Sequence, residues 1–216
     1  MEHSFWEARW AQGQTAFHEG APNRFLLRHG ELLGSAGRVL VPLCGKSVDL
    51  DALAEQGLEV TGCELVEQAV REYFAERHAE PIERAVGALR AFTADAVPHV
   101  RVLCGDVFAL DDAHGRFDAL FDRAAVVALP LEMRERYVPH IASRLEPGAR
   151  GLLVTFEHDT GSGPPFSVER DEVLRLYTPH YLVEELAREH ALADNPRIVE
   201  RGATRVFECA YALTRR

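Results

Sequence analysis

The sequence predicts an α/β fold: a mostly parallel sheet with helices on both faces. Three observations carry this. Residues 38–64 read as strand, turn, helix, strand. Further short apolar runs at 100–104, 117–121 and 151–156 recur between helix-patterned stretches. Gly45 lies in the turn and Glu64 ends the second strand, where open α/β sheets bind ligands. A strand returning parallel through a helix crosses right-handed, so turn and strand end lie side by side at the sheet's carboxyl edge.

The elements follow in order. Ser4 is placed to cap a short helix holding Phe5, Trp6, Ala8 and Trp10, with both indoles on one face at i,i+4 spacing. So short a helix is marginal alone and must dock on the core or on a ligand. Phe25, Leu26, Leu27, Leu32 and Leu33 predict a second helix after Pro22, ending near Gly34, with His29 as a surface or packing residue. Val39, Leu40 and Val41 form an unbroken apolar run that suits a strand buried on both faces. Residues 42–47 break it, and Val48, Leu50, Leu53 and Ala54 repeat at helical spacing up to Gly57. Val60 and Thr61 restart an extended pattern that ends on Glu64.

Residues 66–78 predict a helix with Ala69, Val70, Tyr73 and Phe74 buried. Residues 79–98 read as an insertion with one weak helix at 84–92. The third strand, 100–104, ends at Gly105 and Asp106, and the fourth, 117–121, at Asp122 and Arg123. A helix over 131–145, a turn at Pro147 and Gly148, and a fifth strand at 151–156 come next. Residues 158–166, HDTGSGPPF, are the most loop-like stretch, and a long loop at a ligand edge is a lid or specificity wall in which Phe166 offers an apolar face to a flat substrate. A final strand occupies 205–213.

The turn chemistry narrows the ligand. A P-loop needs a glycine five residues before Gly45, where Leu40 stands, and a dinucleotide fingerprint needs three spaced glycines where only Gly45 is present. A small-molecule kinase is disfavoured for the first reason. Glu64 follows Gly45 by nineteen positions, near the offset at which a carboxylate meets ribose hydroxyls; the alternative is a solvated strand-end carboxylate. A nucleoside with no phosphate cradle remains, and S-adenosylmethionine is the candidate.

VPLCGKSVDLDALAEQG with the following GCEL resembles the cofactor-binding segment of the thiopurine S-methyltransferase family, and FWEARWAQGQTAFH, FDRAAVVALP and GPPFSV agree with it in order. The resemblance implies a single S-adenosylmethionine-dependent methyltransferase domain over 1–216: an N-terminal helical lid in 1–34 and a three-layer Rossmann-like core in 38–216. Its sheet would have seven strands, the last antiparallel, with 181–191 a strand despite a helix-like composition. Trp10 would cover the cofactor, Leu43, Gly45 and Glu64 hold it, and Asp106 and Val107 approach the adenine, although a plain turn aspartate fits Asp106 equally. Phe17 and His18 belong to the segment closing over the pocket. Arg123 maps onto the active-site arginine, facing both cofactor and acceptor; the competing reading is a salt bridge to Asp122 or Glu64. Arg197 maps onto a second substrate-facing arginine, with Arg201 its competitor.

Composition bounds the partners. The chain of 216 residues, 47% apolar, suffices for one well-buried domain. Its formal charge of −10, from 34 acidic against 24 basic residues, repels polyanions, so neither nucleic acid nor an anionic membrane is expected. Cys44, Cys63, Cys104 and Cys209 form no CxxC pair and read as buried apolar residues. The first residues lack a signal-peptide pattern and no run reaches a membrane span, so a cytoplasmic protein, acting as a monomer, is expected.

The expected acceptor is a small thiol or a selenium or tellurium species. Such an acceptor is largely ionised near neutral pH and needs no strong base, with His18 in reserve for a weaker acid; Arg123 and Arg197 would steady the anion. A sensor that binds the nucleoside without turnover is the alternative, and it has no need of Arg123, Phe166 and a lid together.

Overall fold

The computed structural model describes residues 3–15, 19–123, 125–161 and 163–216. Helix α1 (His3–Ala11) already includes Ser4, which therefore lies inside the helix and does not cap it. Helix α2 (Arg24–His29) is capped by Asn23, whose side-chain oxygen accepts the Phe25 N–H at 2.9 Å, and a 3-10 turn carries it on to Leu33. Strand β1 (Arg38–Pro42), helix α3 (Asp49–Glu55) and strand β2 (Glu59–Glu64) form the parallel unit anticipated, with Val39 opposite Val60 and Val41 opposite Gly62. Helix α4 (Glu67–Ala75) buries Ala69, Val70, Tyr73 and Phe74.

The helix expected at 84–92 is instead an antiparallel hairpin, β3 (Ile82–Val86) and β4 (Leu89–Thr93), joined by the two-residue turn Gly87–Ala88 with φ +55° at Gly87. The physical reason is tertiary. Strand β4 pairs with the edge of β5 (Val100–Cys104), and its side chains are covered on both faces, Leu89 and Ala91 in one core and Phe92 in the other. Strand pairing and burial outweigh the weak local preference for helix.

Strand β6 (Phe117–Arg123), helices α5 (Ala125–Ala128) and α6 (Leu131–Arg144) and strand β7 (Leu145–His158) follow. The turn expected at Pro147 and Gly148 is absorbed as a bulge inside β7: Phe117 pairs with Leu145 while Ala119 pairs with Arg150. Helix α7 (Arg170–Tyr177), strand β8 (Tyr181–His190), helix α8 (Pro196–Glu200) and strand β9 (Val206–Arg215) complete the order.

Among the described residues the strands form one nine-stranded mixed sheet in the order β3-β4-β5-β2-β1-β6-β7-β9-β8, so the expectation of seven is corrected by the added hairpin. Strand β9 runs antiparallel to both β7 and β8. Residues 181–190 are extended because β9 offers a partner along their whole length. Alternating side chains explain the unbroken apolar runs: Val39, Val41 and Phe121 enter the core on one face, and Leu40 and Leu120 enter that on the other. All four cysteines are buried and free, and burial raises the Cys44 thiol well above its ordinary range. Among the described residues no helix is long and apolar enough to cross a membrane.

Candidate active site at the carboxyl edge of the sheet

The turn after β1 folds back onto β2. Leu43 (φ +50°) and Gly45 (φ +55°) take left-handed conformations, and the Cys44 N–H donates to the Cys63 carbonyl at 3.2 Å. This close seating requires Gly62, where a Cβ would stand 2.6 Å from the Cys44 sulfur. Glu64 locks the arrangement. One carboxylate oxygen accepts the Gly45 N–H at 2.9 Å and the other accepts the Val66 N–H at 2.8 Å. Glu64 is 7% exposed, so it is not the solvated carboxylate of the alternative reading. Burial pushes its carboxyl up from the usual range, while the N–H groups of Val66 and Gly45 hold it back. The Leu65 N–H acts on the carboxylate in the same sense.

A cavity of about 400 Å³ opens over this edge, lined by Leu43, Gly45, Glu64, Asp106, Val107 and Trp10, among others. Asp106 has both of its expected parts: it lines the cavity and caps the turn after β5, accepting the Phe108 N–H at 3.0 Å. Lys46 of the PLCGK turn is ion-paired with Glu72 and Glu76, an arrangement unlike that of a phosphate-binding lysine. Trp10 is 3% exposed, packed on Val66 and Ala69, so helix α1 docks on α4 while its indole also faces the cavity.

Arg123, 9% exposed in its side chain, lines the cavity and is ion-paired with Glu19. Neither Asp122 nor Glu64, the partners of the competing reading, makes that pair. Alternation along β6 sends Asp122 to the opposite face, fully buried, where it accepts the Tyr137 hydroxyl at 2.9 Å and the Tyr177 hydroxyl at 3.4 Å; burial pushes its carboxyl up to about 6. The rest of the N-terminal segment is tied down beside Glu19. The Asn23 N–H donates to Asp49 at 2.7 Å, its side-chain amide donates to Glu208 at 3.2 Å, and Arg24 pairs with Glu208 at 2.9 Å.

The loop after β7 is gathered around His158. Its imidazole bonds the Pro165 carbonyl at 3.2 Å and the Thr160 hydroxyl at 3.0 Å, and its backbone N–H donates to the Ser167 hydroxyl at 2.9 Å. Burial lowers its basicity, which favours the neutral ring. Pro164, Pro165 and Phe156 thereby form the cavity wall. Phe166 does not line it: its backbone N–H is held by the Val127 carbonyl at 2.7 Å, and its ring packs under Gly163 and against Arg134. The apolar face expected of Phe166 is therefore supplied by its neighbours. Arg197 and Arg201 both line the far end of the cavity, with Arg9. Phe17 and His18 lie outside the described residues.

Sequence reasoning missed Glu19, Asn23, Asp49 and Glu208, and it had Pro164 and Pro165 only as part of the wall-forming loop. Glu208 left a signal, a carboxylate inside the otherwise apolar run VFECAYAL. Asp49 looked like an ordinary residue of a first helical turn, and Glu19 and Asn23 left no pattern.

The thiopurine S-methyltransferase family model matches residues 1–216. The chain belongs to this family. Family relatives include the thiopurine S-methyltransferases of Azotobacter vinelandii, 44% identical over 221 residues, and Pseudomonas aeruginosa, 43% identical over 220, each alignment covering 100% of both chains. Among solved structures, a Burkholderia thailandensis 1,6-didemethyltoxoflavin-N1-methyltransferase with S-adenosylhomocysteine bound superposes with a TM-score of 0.65 at 21% identity, covering 99% of this chain and 86% of that one. TehB from Haemophilus influenzae gives 0.60 at 13% identity, covering 92% and 63%. At these identities the structural likeness speaks to the fold.

Proposed function

We propose that this chain is an S-adenosylmethionine-dependent methyltransferase acting on the sulfur, or the selenium or tellurium, of a small acceptor such as a thiopurine. The observation that carries the reading is one cavity with the Glu64–Gly45 lock at one end and a nearly buried arginine, Arg123, further along the same edge. The residues fit the cofactor. Glu64 brings carboxylate oxygens to the cavity for a ribose diol, Asp106 and Val107 border the place of a base, and the Trp10 indole lies over the site. S-adenosylmethionine, when bound, supplies both the methyl carbon and the leaving group.

The protein's part is alignment and exclusion of water, which supply much of the rate in a displacement of this kind. Arg123 steadies an anionic acceptor, and the wall of Phe156, Pro164 and Pro165 presents an apolar face to it. On this reading Arg197, Phe17 and His18 are assigned to the acceptor. We take residues 1–216 as one domain with 1–34 as its cover, acting as a monomer in the cytoplasm, where free buried cysteines suit a reducing compartment.

Titration calorimetry with S-adenosylhomocysteine and with ATP, followed by transfer of labelled methyl to a panel of thiols, selenols and tellurium species, tests the reading. Binding of S-adenosylhomocysteine and methylation of at least one acceptor are expected. Tight binding with no acceptor methylated would favour the sensor alternative, and binding of ATP alone would overturn the reading.

A further inference from the structure

The Arg123 guanidinium is already engaged by a carboxylate of the chain itself. One of its Nη groups donates to Glu19, and both side chains line the same cavity. The two partners differ in their surroundings: the Arg123 side chain is 9% exposed and that of Glu19 is 49% exposed. A cation so nearly buried needs a counter-charge, because taking its partner away leaves a charge held out of water with nothing to compensate it. Glu19 has no such need. Half in solvent, its carboxylate can turn to water at little cost.

Glu19 is also kept near Arg123 by its own stretch of chain. Asn23, 1% exposed, anchors that stretch: its backbone N–H donates to Asp49 at 2.7 Å, its side-chain amide donates to Glu208 at 3.2 Å and its side-chain oxygen accepts the Phe25 N–H at 2.9 Å. The four residues from that anchor to Glu19 reach at most about 14 Å. A carboxylate on so short a tether stays close to Arg123 whether or not it is bound there. The charges around the pair are matched before any acceptor enters. Arg24 pairs with Glu208 at 2.9 Å, and Glu19 pairs with Arg123, so that within this group of four side chains two positive charges meet two negative ones. The Glu208 carboxyl, pushed up by burial, registers the whole group: Arg24, Asn23 and Arg123 draw it down and Glu19 raises it. An anionic acceptor placed on Arg123 beside Glu19 would add an unmatched negative charge, so one of the two anions must leave.

We propose that Glu19 is a displaceable stand-in for the acceptor's anion and thereby a specificity-determining residue: an acceptor that enters as a thiolate or selenolate exchanges with the Glu19 carboxylate on Arg123, whereas a neutral acceptor leaves the Glu19–Arg123 pair closed. Exchanging one anion for another keeps the nearly buried guanidinium compensated throughout, and the partner released is the one that water can take back. The proposal rests on the methyltransferase reading, but its test needs no turnover.

The probes are para-nitrobenzenethiolate, an aromatic thiol ionised at neutral pH, and its neutral methyl thioether. Each is titrated into the full chain saturated with S-adenosylhomocysteine, which carries no methyl group to transfer. Glu19→Gln should bind the thiolate about three- to fivefold more tightly than wild type, the size of the ion pair the thiolate no longer has to break, and should bind the thioether as wild type does. Glu19→Ala should show the same pattern. In an Arg123→Gln chain the added Glu19→Gln change should not raise thiolate affinity, because the exchange has lost its guanidinium. Unchanged or weaker thiolate binding in both Glu19 variants would overturn the exchange, as would an equal gain for the thioether, a gain that persists without Arg123, or failure of every chain to bind either probe. Transfer of labelled methyl from S-adenosylmethionine to a panel of thiols, run in parallel, separates the two readings: absence of methylation of any thiol defeats the methyltransferase proposal, whereas methylation with a thiolate affinity indifferent to Glu19 defeats only the exchange.

Discussion

Replacing Glu64 with glutamine separates cofactor recognition from turn architecture. The wild-type carboxylate accepts N–H groups from Gly45 at 2.9 Å and Val66 at 2.8 Å, and on the proposed assignment its remaining acceptor positions meet the ribose diol. Glutamine keeps one oxygen and turns the other into a donor. Whichever way the amide is placed, one buried backbone N–H faces another donor, at a cost of about 1–3 kcal/mol. For a chain of this size that corresponds to a fall in Tm of roughly 2–4 °C per kcal/mol. At the diol, the lost charge-assisted hydrogen bond costs about 1.5–3 kcal/mol, or roughly tenfold to more than a hundredfold in Kd. Calorimetric titration of S-adenosylhomocysteine, with circular dichroism to establish the fold, measures both effects. A Kd within twofold of wild type in a folded variant would refute the ribose assignment and leave Glu64 as a fastener of the turn.

Three further outcomes are expected. Arg123→Lys keeps the charge but loses the planar fork, so single-turnover methyl transfer at saturating cofactor should fall, and Arg123→Ala should fall further; a rate equal to wild type in the alanine variant would reduce Arg123 to a tether for Glu19. Cofactor should alter tryptophan emission, and Trp10→Phe should remove most of that change, whereas an undiminished change would place the effect at Trp6. Asp122 has a folded pKa raised by burial to about 6, so its contribution to stability is full below its ordinary carboxylate range and is lost as pH rises through about 6. A shift of two units corresponds to roughly 3 kcal/mol. Asp122→Asn should therefore flatten the stability profile over that window in urea titrations, and a slope equal to wild type would sink the account.

What the sequence determined by itself was local. The unbroken apolar run Val39, Leu40 and Val41, the break from Pro42, the helical spacing to Gly57 and the carboxylate at Glu64 describe one strand–helix–strand unit whose handedness is forced, so the edge that gathers the candidate site was legible. Tertiary structure decided what depended on chain returning from far away. Residues 82–93 became a hairpin because β5 had an open edge to cover, and 181–190 a strand because β9 ran beside it. Arg123 meets Glu19 across 104 positions and Asn23 meets Glu208 across 185, distances over which no sequence periodicity carries information. Phe166 turned from the cavity because its own N–H was claimed by the Val127 carbonyl, and Arg9 joined Arg197 and Arg201 because α1 docks on α4 at one end and reaches α8 at the other. Helix and strand patterns record which face of an element is apolar; which elements then share that face is fixed by packing the whole chain at once.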